Sequence, residues 1–289
     1  MVFDGFTGQW PPLTRTLYEY AAAHGIDYVA DMNGDFRDGY CSVPMTNTPE
    51  QRVSSAMAYL TPEVRRRPNL TITSSATVRK INFEGTRVTG VTAFVDGAEQ
   101  TFNAREVIVC GGGVFSPTLL LRNGIGPAEP LRALGIEVVA DRPGVGANLQ
   151  DHLQIRVIYK VSNTRTLNVD YQSLLKRAMM GLEYAVLRRG PLTMAPSQLG
   201  VFTRSSPDYA TANIQFHVQP LSLDKFGDPL HPFGAITVSV ANLRPTSRGR
   251  VSLAASDSSI QPIIAPNYLA TDEDRRREAT AAAPIGALK

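Results

Sequence analysis

The run Val107-Ile108-Val109-Cys110 contains no polar residue and stops at three consecutive glycines, Gly111-Gly112-Gly113. A strand buried on both faces reads this way, and such strands belong to parallel sheets covered by helices. After the glycines, Ser116-Pro117 predicts a helix start, with the hydroxyl as N-cap and proline at the first helical position. Leu119, Leu120 and Leu121 continue it. Strand, glycine turn and helix start together form a geometry that receives phosphates, because the first helical N–H groups carry partial positive charge. The same residues also serve a tight turn that touches no ligand, and the pattern alone does not separate the two. The full dinucleotide fingerprint G-x-G-x-x-G is not completed at Gly111-Gly112-Gly113, at Gly124-Ile125-Gly126 or at Gly144-Val145-Gly146.

Around this run the chain alternates between two periods. Leu13, Leu17, Tyr18, Ala21 and Ala22 have helical spacing, with Gly25 as a stop. A second helix is expected after Thr48-Pro49-Glu50, reaching about Leu60, and a long one from about Tyr171 to Arg188. Between Leu70 and Cys110 the residues favour strands, with a hairpin turn at Gly97. Ile214-Gln215-Phe216-His217-Val218 and Ile236-Thr237-Val238-Ser239-Val240 alternate apolar with polar, as in an antiparallel sheet with one wet face. Asp272 to Leu288 reads as a final helix. The expected class is therefore α/β (α+β): a domain with a helix-covered buried strand plus a domain with an antiparallel sheet and helices. A chain of 289 residues has room for two domains. The expected blocks are 1–152 and 153–289.

Composition excludes several functions. The net charge is +3 with no basic stripe, so nucleic acid is not an expected partner, nor is an anionic membrane surface. No apolar run approaches the ~20 residues of a membrane span. Met1 to Trp10 lacks a basic segment followed by an apolar core, which predicts no secretory signal. The two cysteines, Cys41 and Cys110, cannot build a disulfide framework, and the expected compartment is the reducing cytoplasm. His24, His152, His217 and His231 lack the spacing of a zinc site, so no metal is expected. A serine hydrolase is disfavoured by the absence of G-x-S-x-G. Asp151-His152 could form a hydrogen-bonded pair.

An ordered string of motifs then adds a resemblance. Cys110-Gly111-Gly112-Gly113-Val114-Phe115-Ser116-Pro117, continuing to Gly124-Ile125-Gly126-Pro127, resembles the second signature of the glucose–methanol–choline (GMC) flavin oxidoreductases. Pro143-Gly144-Val145-Gly146-Ala147-Asn148-Leu149-Gln150-Asp151-His152 follows at that family's distance. Upstream, Arg52 with Ser54-Ser55-Ala56 and Ala58-Tyr59-Leu60 is similar to the helix before its Arg67-Pro68-Asn69-Leu70 strand. Pro245 to Val251 and Pro266-Asn267-Tyr268-Leu269 resemble the start of its C-terminal segment.

The resemblance implies FAD as cofactor and oxidation of a small-molecule alcohol by hydride transfer to the flavin. It places Val78 at the adenine end, Cys110, Gly111 and Gly112 near the ribose and diphosphate, and Ser116 near the same helix start. It makes His217 a substrate-pocket residue and sets Gln198 where choline oxidases carry a glutamate for the trimethylammonium group. A neutral amide lacks the charge for a quaternary cation, which argues against choline. The family's first G-x-G-x-x-G strand has no counterpart after Met1, and Lys289 comes before its catalytic His and the His or Asn partner. The sequence therefore reads as an internal portion of such an enzyme, an incomplete Rossmann-like FAD-binding domain plus a substrate domain, with no catalytic base assigned. The alternative is a non-catalytic remnant or binding module of that fold. No feature speaks to oligomeric state.

Overall fold

The computed structural model describes residues 12–48, 50–225 and 227–287. In chain order its strands are β1 (Gly39–Ser42), β2 (Ala76–Glu84), β3 (Arg87–Val95), β4 (Ala98–Asn103), β5 (Ile125–Gly126), β6 (Ala140–Asp141), β7 (Gln154–Lys160), β8 (Leu199–Thr203), β9 (Ile214–Gln219), β10 (Ala235–Asn242), β11 (Arg250–Ser252) and β12 (Ile263–Ala265). The helices are α1 (Pro12–Ala23), α2 (Ser55–Tyr59), α3 (Pro62–Arg65), α4 (Gly112–Arg122), α5 (Ala128–Ala133), α6 (Leu167–Gln172), α7 (Leu174–Leu187) and α8 (Asp272–Ala287). The class is mixed α/β, with mostly antiparallel sheets. Two compact units divide the chain: Met1–Val64 with His152–Arg244 and Arg275–Lys289, and Arg65–Asp151 with Pro245–Asp274. The units are thus discontinuous, whereas the sequence suggested two consecutive blocks meeting near residue 152.

The first unit is built on a five-stranded antiparallel sheet of order β1-β8-β9-β10-β7. Alternation along the strands sorts the residues onto two faces. Tyr40, Val201, Phe216, Val240 and Ile155 form one row across it, each opposite the next. This row belongs to the apolar core, which Leu17 and Ala21 of α1 and Ala281 of α8 cover. Burying a valine or isoleucine contributes ~1.5–3 kcal/mol, so this face holds the sheet to its helices. The neighbouring row, on the other face, is Cys41, Gly200, His217, Ser239 and Arg156.

Two helical expectations in this unit are corrected. Residues 46–48 and 51–53 run antiparallel as the arms of a hairpin, with Thr48 N–H donating to Gln51 O (2.8 Å) and Val53 N–H to Thr46 O (2.9 Å). Only Ser55–Tyr59 is helical there, because the Ser54 hydroxyl caps it by accepting from Met57 N–H at 3.3 Å. The long helix expected from Tyr171 breaks at Ser173. Its backbone is extended (φ −88°, ψ 118°) and its hydroxyl accepts from Lys176 N–H, starting a new helix.

In the second unit, β2, β3 and β4 form an antiparallel meander. Asp96 and Gly97 both have positive φ (49° and 87°), which suits the right-handed twist of a two-residue hairpin. The run Val107–Cys110 is the clearest correction. It pairs with no strand among the described residues, and Ile108 is 79% exposed. A buried parallel strand needs neighbours on both edges, and the β2-β3-β4 sheet pairs only among its own three strands. Ser116 and Pro117 lie inside α4 rather than opening it, since the helix already begins at Gly112. The expected strand at Arg67–Leu70 is a turn, with Leu70 N–H donating to Arg67 O at 3.1 Å. The strand begins only at Ala76.

Candidate functional site

A cavity of about 680 Å³ lies within the second unit. Its apolar lining comes from Val78 of β2, Ile108 of the unpaired run, and Phe115 and Leu119 of α4. Charged groups also line it: Arg79, Arg122 and Asp257. So do Cys110 and Gly111. A Cβ on Gly111 would sit 3.1 Å from Ser116 N and 3.2 Å from the Phe115 carbonyl carbon, closer than ordinary contact. The chain therefore leaves bare backbone where the helix begins. Gly112, the first residue of α4, has φ +75°, a conformation that glycine adopts without strain.

The charged lining supplies donors. Arg122 donates to Ile260 O through Nη2, while its buried Nε has no partner among the described residues. A buried donor left alone costs ~1–3 kcal/mol, so a ligand oxygen there would be stabilised. Ser259 donates to Asp257 through its backbone N–H, and this holds the carboxyl below its usual range. Arg122 and Arg79 lower it further by charge. An apolar slot for a flat ring, bare backbone at a helix start and a waiting guanidinium fit the adenosine end of a dinucleotide. Of the five expected cofactor residues, Val78, Cys110 and Gly111 line the cavity. Gly112 shapes the helix start, and Ser116 meets Gly111 through its backbone. Arg79, Arg122 and Asp257 escaped sequence reading because Asp257 is remote in the chain and no spacing links the three.

The first unit holds the other candidates. His217 on β9 faces away from the apolar core, directly opposite Gly200 on β8 and Ser239 on β10. Burial pushes its pKa down, so the ring is neutral at pH 7. Its Nδ1 and the Ser239 hydroxyl are buried and have no partner among the described residues. Arg156, opposite Ser239, donates to the Leu223 carbonyl at 3.0 Å. Ser239 was legible in principle, since it alternates with Val238 and Val240 as His217 does with its neighbours.

Gln198 is 7% exposed and has different surroundings. Its Oε1 accepts from Thr14 Oγ1 at 2.9 Å, and Met194 lies against its Nε2. Thr14 belongs to α1, whose residues pack with Leu199 and Val218. The structure therefore does not bring Gln198 and His217 together. The remaining histidines have partners of their own. His231 contacts Ser222 and Asp224, His152 the Leu243 carbonyl at 3.0 Å, and His24 the Tyr20 carbonyl. The Asp151 carboxylate accepts from the Tyr268 hydroxyl. No helix among the described residues is long and apolar enough to cross a membrane.

Comparison with known proteins joins these observations. The profile described as GMC oxidoreductase matches residues 7–154. The oxygen-dependent choline dehydrogenase of Staphylococcus saprophyticus is 35% identical over 265 residues, covering 92% of this chain and 47% of that protein. Mitochondrial choline dehydrogenase of Mus musculus is 38% identical over 264 residues, covering 91% and 44%. The chain thus spans about half the length of the curated relatives it matches. Among solved structures, pyridoxine 4-oxidase from Mesorbium loti superimposes with a TM-score of 0.80 at 27% identity, over 97% of this chain and 52% of that one. Formate oxidase shares the fold with a TM-score of 0.82 at 23% identity, over 95% and 52%. The motif order, the glycine-bared helix start and these matches agree: the chain belongs to the GMC oxidoreductase family.

Proposed function

We propose that this chain carries the adenine-end cofactor pocket and part of the substrate surface of an FAD-dependent enzyme that oxidises an alcohol CH–OH group. The observation that carries this reading is the cavity of the second unit, lined by Val78, Cys110, Gly111, Phe115 and Arg122, all within the family-matched stretch. Bound FAD would accept the hydride from the alcohol carbon. Val78, Ile108, Phe115 and Leu119 would flank the adenine and exclude water from its faces. Gly111 and the first N–H groups of α4 would approach the ribose and diphosphate, and Arg122 would donate to an oxygen there.

The sheet of the first unit supplies the substrate surface. In its row beside Gly200, His217 and Ser239 offer uncharged hydrogen-bonding groups, and Arg156 adds a positive charge. That row disfavours a cationic alcohol and suits an uncharged one. His217, neutral at pH 7, can hold a substrate hydroxyl by either ring nitrogen without a charge penalty. Both thiols are free, in keeping with a reducing cytoplasm.

Competition binding tests the cofactor assignment. FAD fluorescence is followed while ADP or FMN is added to the purified chain. ADP should displace FAD and FMN should not, because the pocket reads the adenosine end. Gly111→Val should abolish binding of both FAD and ADP. Displacement by FMN as strong as by ADP, or wild-type affinity in Gly111→Val, refutes the assignment.

A further inference from the structure

A separate cavity of about 470 Å³ lies within the first unit, between the hairpin arms 46–48 and 51–53 and the segment Leu192–Pro196. Asn47 and Arg52 face each other across that hairpin as an isolated antiparallel bridge. The flanking hydrogen bonds, Val53 N–H to Thr46 O and Thr48 N–H to Gln51 O, make this the pair between hydrogen bonds. In that position side chains stand closest, with Cβ atoms ~4.5–5.5 Å apart on one face. Both residues line the cavity, together with Met45, Tyr184, Leu192 and Met194.

The two side chains present different chemistry. Asn47 Nδ2 donates to the Thr193 carbonyl at 2.9 Å, which fixes the amide, because a carbonyl can only face the NH₂ side. Its Oδ1 is left buried without a partner among the described residues. It is an acceptor waiting for a donor, and leaving it buried without one is unfavourable. Arg52 is exposed, with no ion pair among the described residues, and brings a guanidinium suited to a carboxylate. Leu192, Met194 and Met45 provide apolar surface around them.

We infer that this cavity binds a small hydroxycarboxylate. The carboxylate pairs with Arg52, the hydroxyl donates to Asn47 Oδ1, and the hydrocarbon rests on Leu192 and Met194. With both side chains on one face, the site suits a hydroxyl close to the carboxylate along the carbon chain, as in a 2- or 3-hydroxy acid. The site is independent of the FAD pocket and does not rest on the alcohol-oxidation reading.

Calorimetric titration of the 289-residue chain with 3-hydroxybutyrate, butyrate and 1,3-butanediol tests the inference. The hydroxyacid should bind saturably. Butyrate, lacking the donor, should bind about fivefold or more weakly, and the diol, lacking the charge, about tenfold or more weakly. Arg52→Gln should weaken the hydroxyacid about tenfold, and Asn47→Leu should erase its advantage over butyrate. If Asn47→Leu does not fold, as circular dichroism would reveal, the butyrate comparison on the wild-type chain tests the same contact. No saturation at tens of millimolar, equal affinity for butyrate, or unchanged affinity in Arg52→Gln overturns the inference.

Discussion

Replacing Asp274 with Asn should destabilise the second compact unit by about 2–4 kcal/mol at pH 7. The residue is 3% exposed, and its carboxylate accepts hydrogen bonds from Thr246 N–H at 2.8 Å, the Thr246 hydroxyl at 3.0 Å and Ser247 N–H at 2.7 Å. Burial alone would disfavour the charged form. The hydrogen bonds from Ser247 and Thr246 outweigh it and pull the carboxyl down to about 2. Asparagine keeps one acceptor oxygen but turns an NH₂ group toward a backbone N–H, so one charge-assisted bond is lost and two donors face each other. A hydrogen bond to a charged group contributes ~1.5–3 kcal/mol, and a donor left unsatisfied adds to the loss, which gives the stated range. The pH dependence has a definite sign. The folded value lies below the ~3.9 of an unfolded aspartate, so the stabilisation is complete above about pH 5 and disappears as pH falls toward 2. Urea unfolding of both proteins, followed by circular dichroism at pH 7 and pH 3, measures the gap at each pH. The gap should be wide at pH 7 and narrower at pH 3. A gap below about 0.5 kcal/mol at pH 7, or one that stays constant between the two, refutes the reasoning.

Two further outcomes follow from the same packing. Gly146→Ala should lower the thermal midpoint sharply, at a cost of roughly 3 kcal/mol or more. Gly146 has φ +82°, and an added Cβ would lie 2.2 Å from the Val251 carbonyl oxygen, so a midpoint within a degree of wild type contradicts the close approach. Thiol labelling at pH 8 should be biphasic. Exposed Cys110 should react at once, whereas Cys41, whose thiol burial pushes up to about 11, should react only after denaturant is added. Two equivalents labelled at equal rate would show that Cys41 is not enclosed.

The readable parts of this fold were those decided locally. Alternation around Phe216 and Val238 announced β9 and β10 as strands, but the wet face it implied is absent along β10, where Thr237 and Ser239 are as buried as the valines beside them. Asp96-Gly97 announced its turn through conformations that few residues adopt. The misread parts depend on partners far away in sequence. Val107–Cys110 has the composition of a buried strand, yet composition does not supply the neighbours that make a sheet. The stretch after Thr48 contains helix formers, but cross-bridging between Asn47 and Arg52 competes successfully for the same backbone. At Ser173 a single hydroxyl, able to cap, divided what looked like one helix. In the candidate site, Val78 and Gly111 were reachable through motif order. Asp257 was not, and neither was the pairing of His217 with Ser239, which requires the register of two strands.

The strand order β1-β8-β9-β10-β7 also bears on how the chain is made. Ser42 must wait for Leu199, its partner across the sheet, to leave the ribosome. At ~5–20 residues per second that delay is on the order of ten to thirty seconds. The β2-β3-β4 meander needs only neighbouring residues and can form during the wait. Through that interval β1 offers an unpaired edge carrying Tyr40 and Cys41. Slowing translation after Ser42 should therefore reduce soluble yield, while chaperones that shield the young chain should restore it.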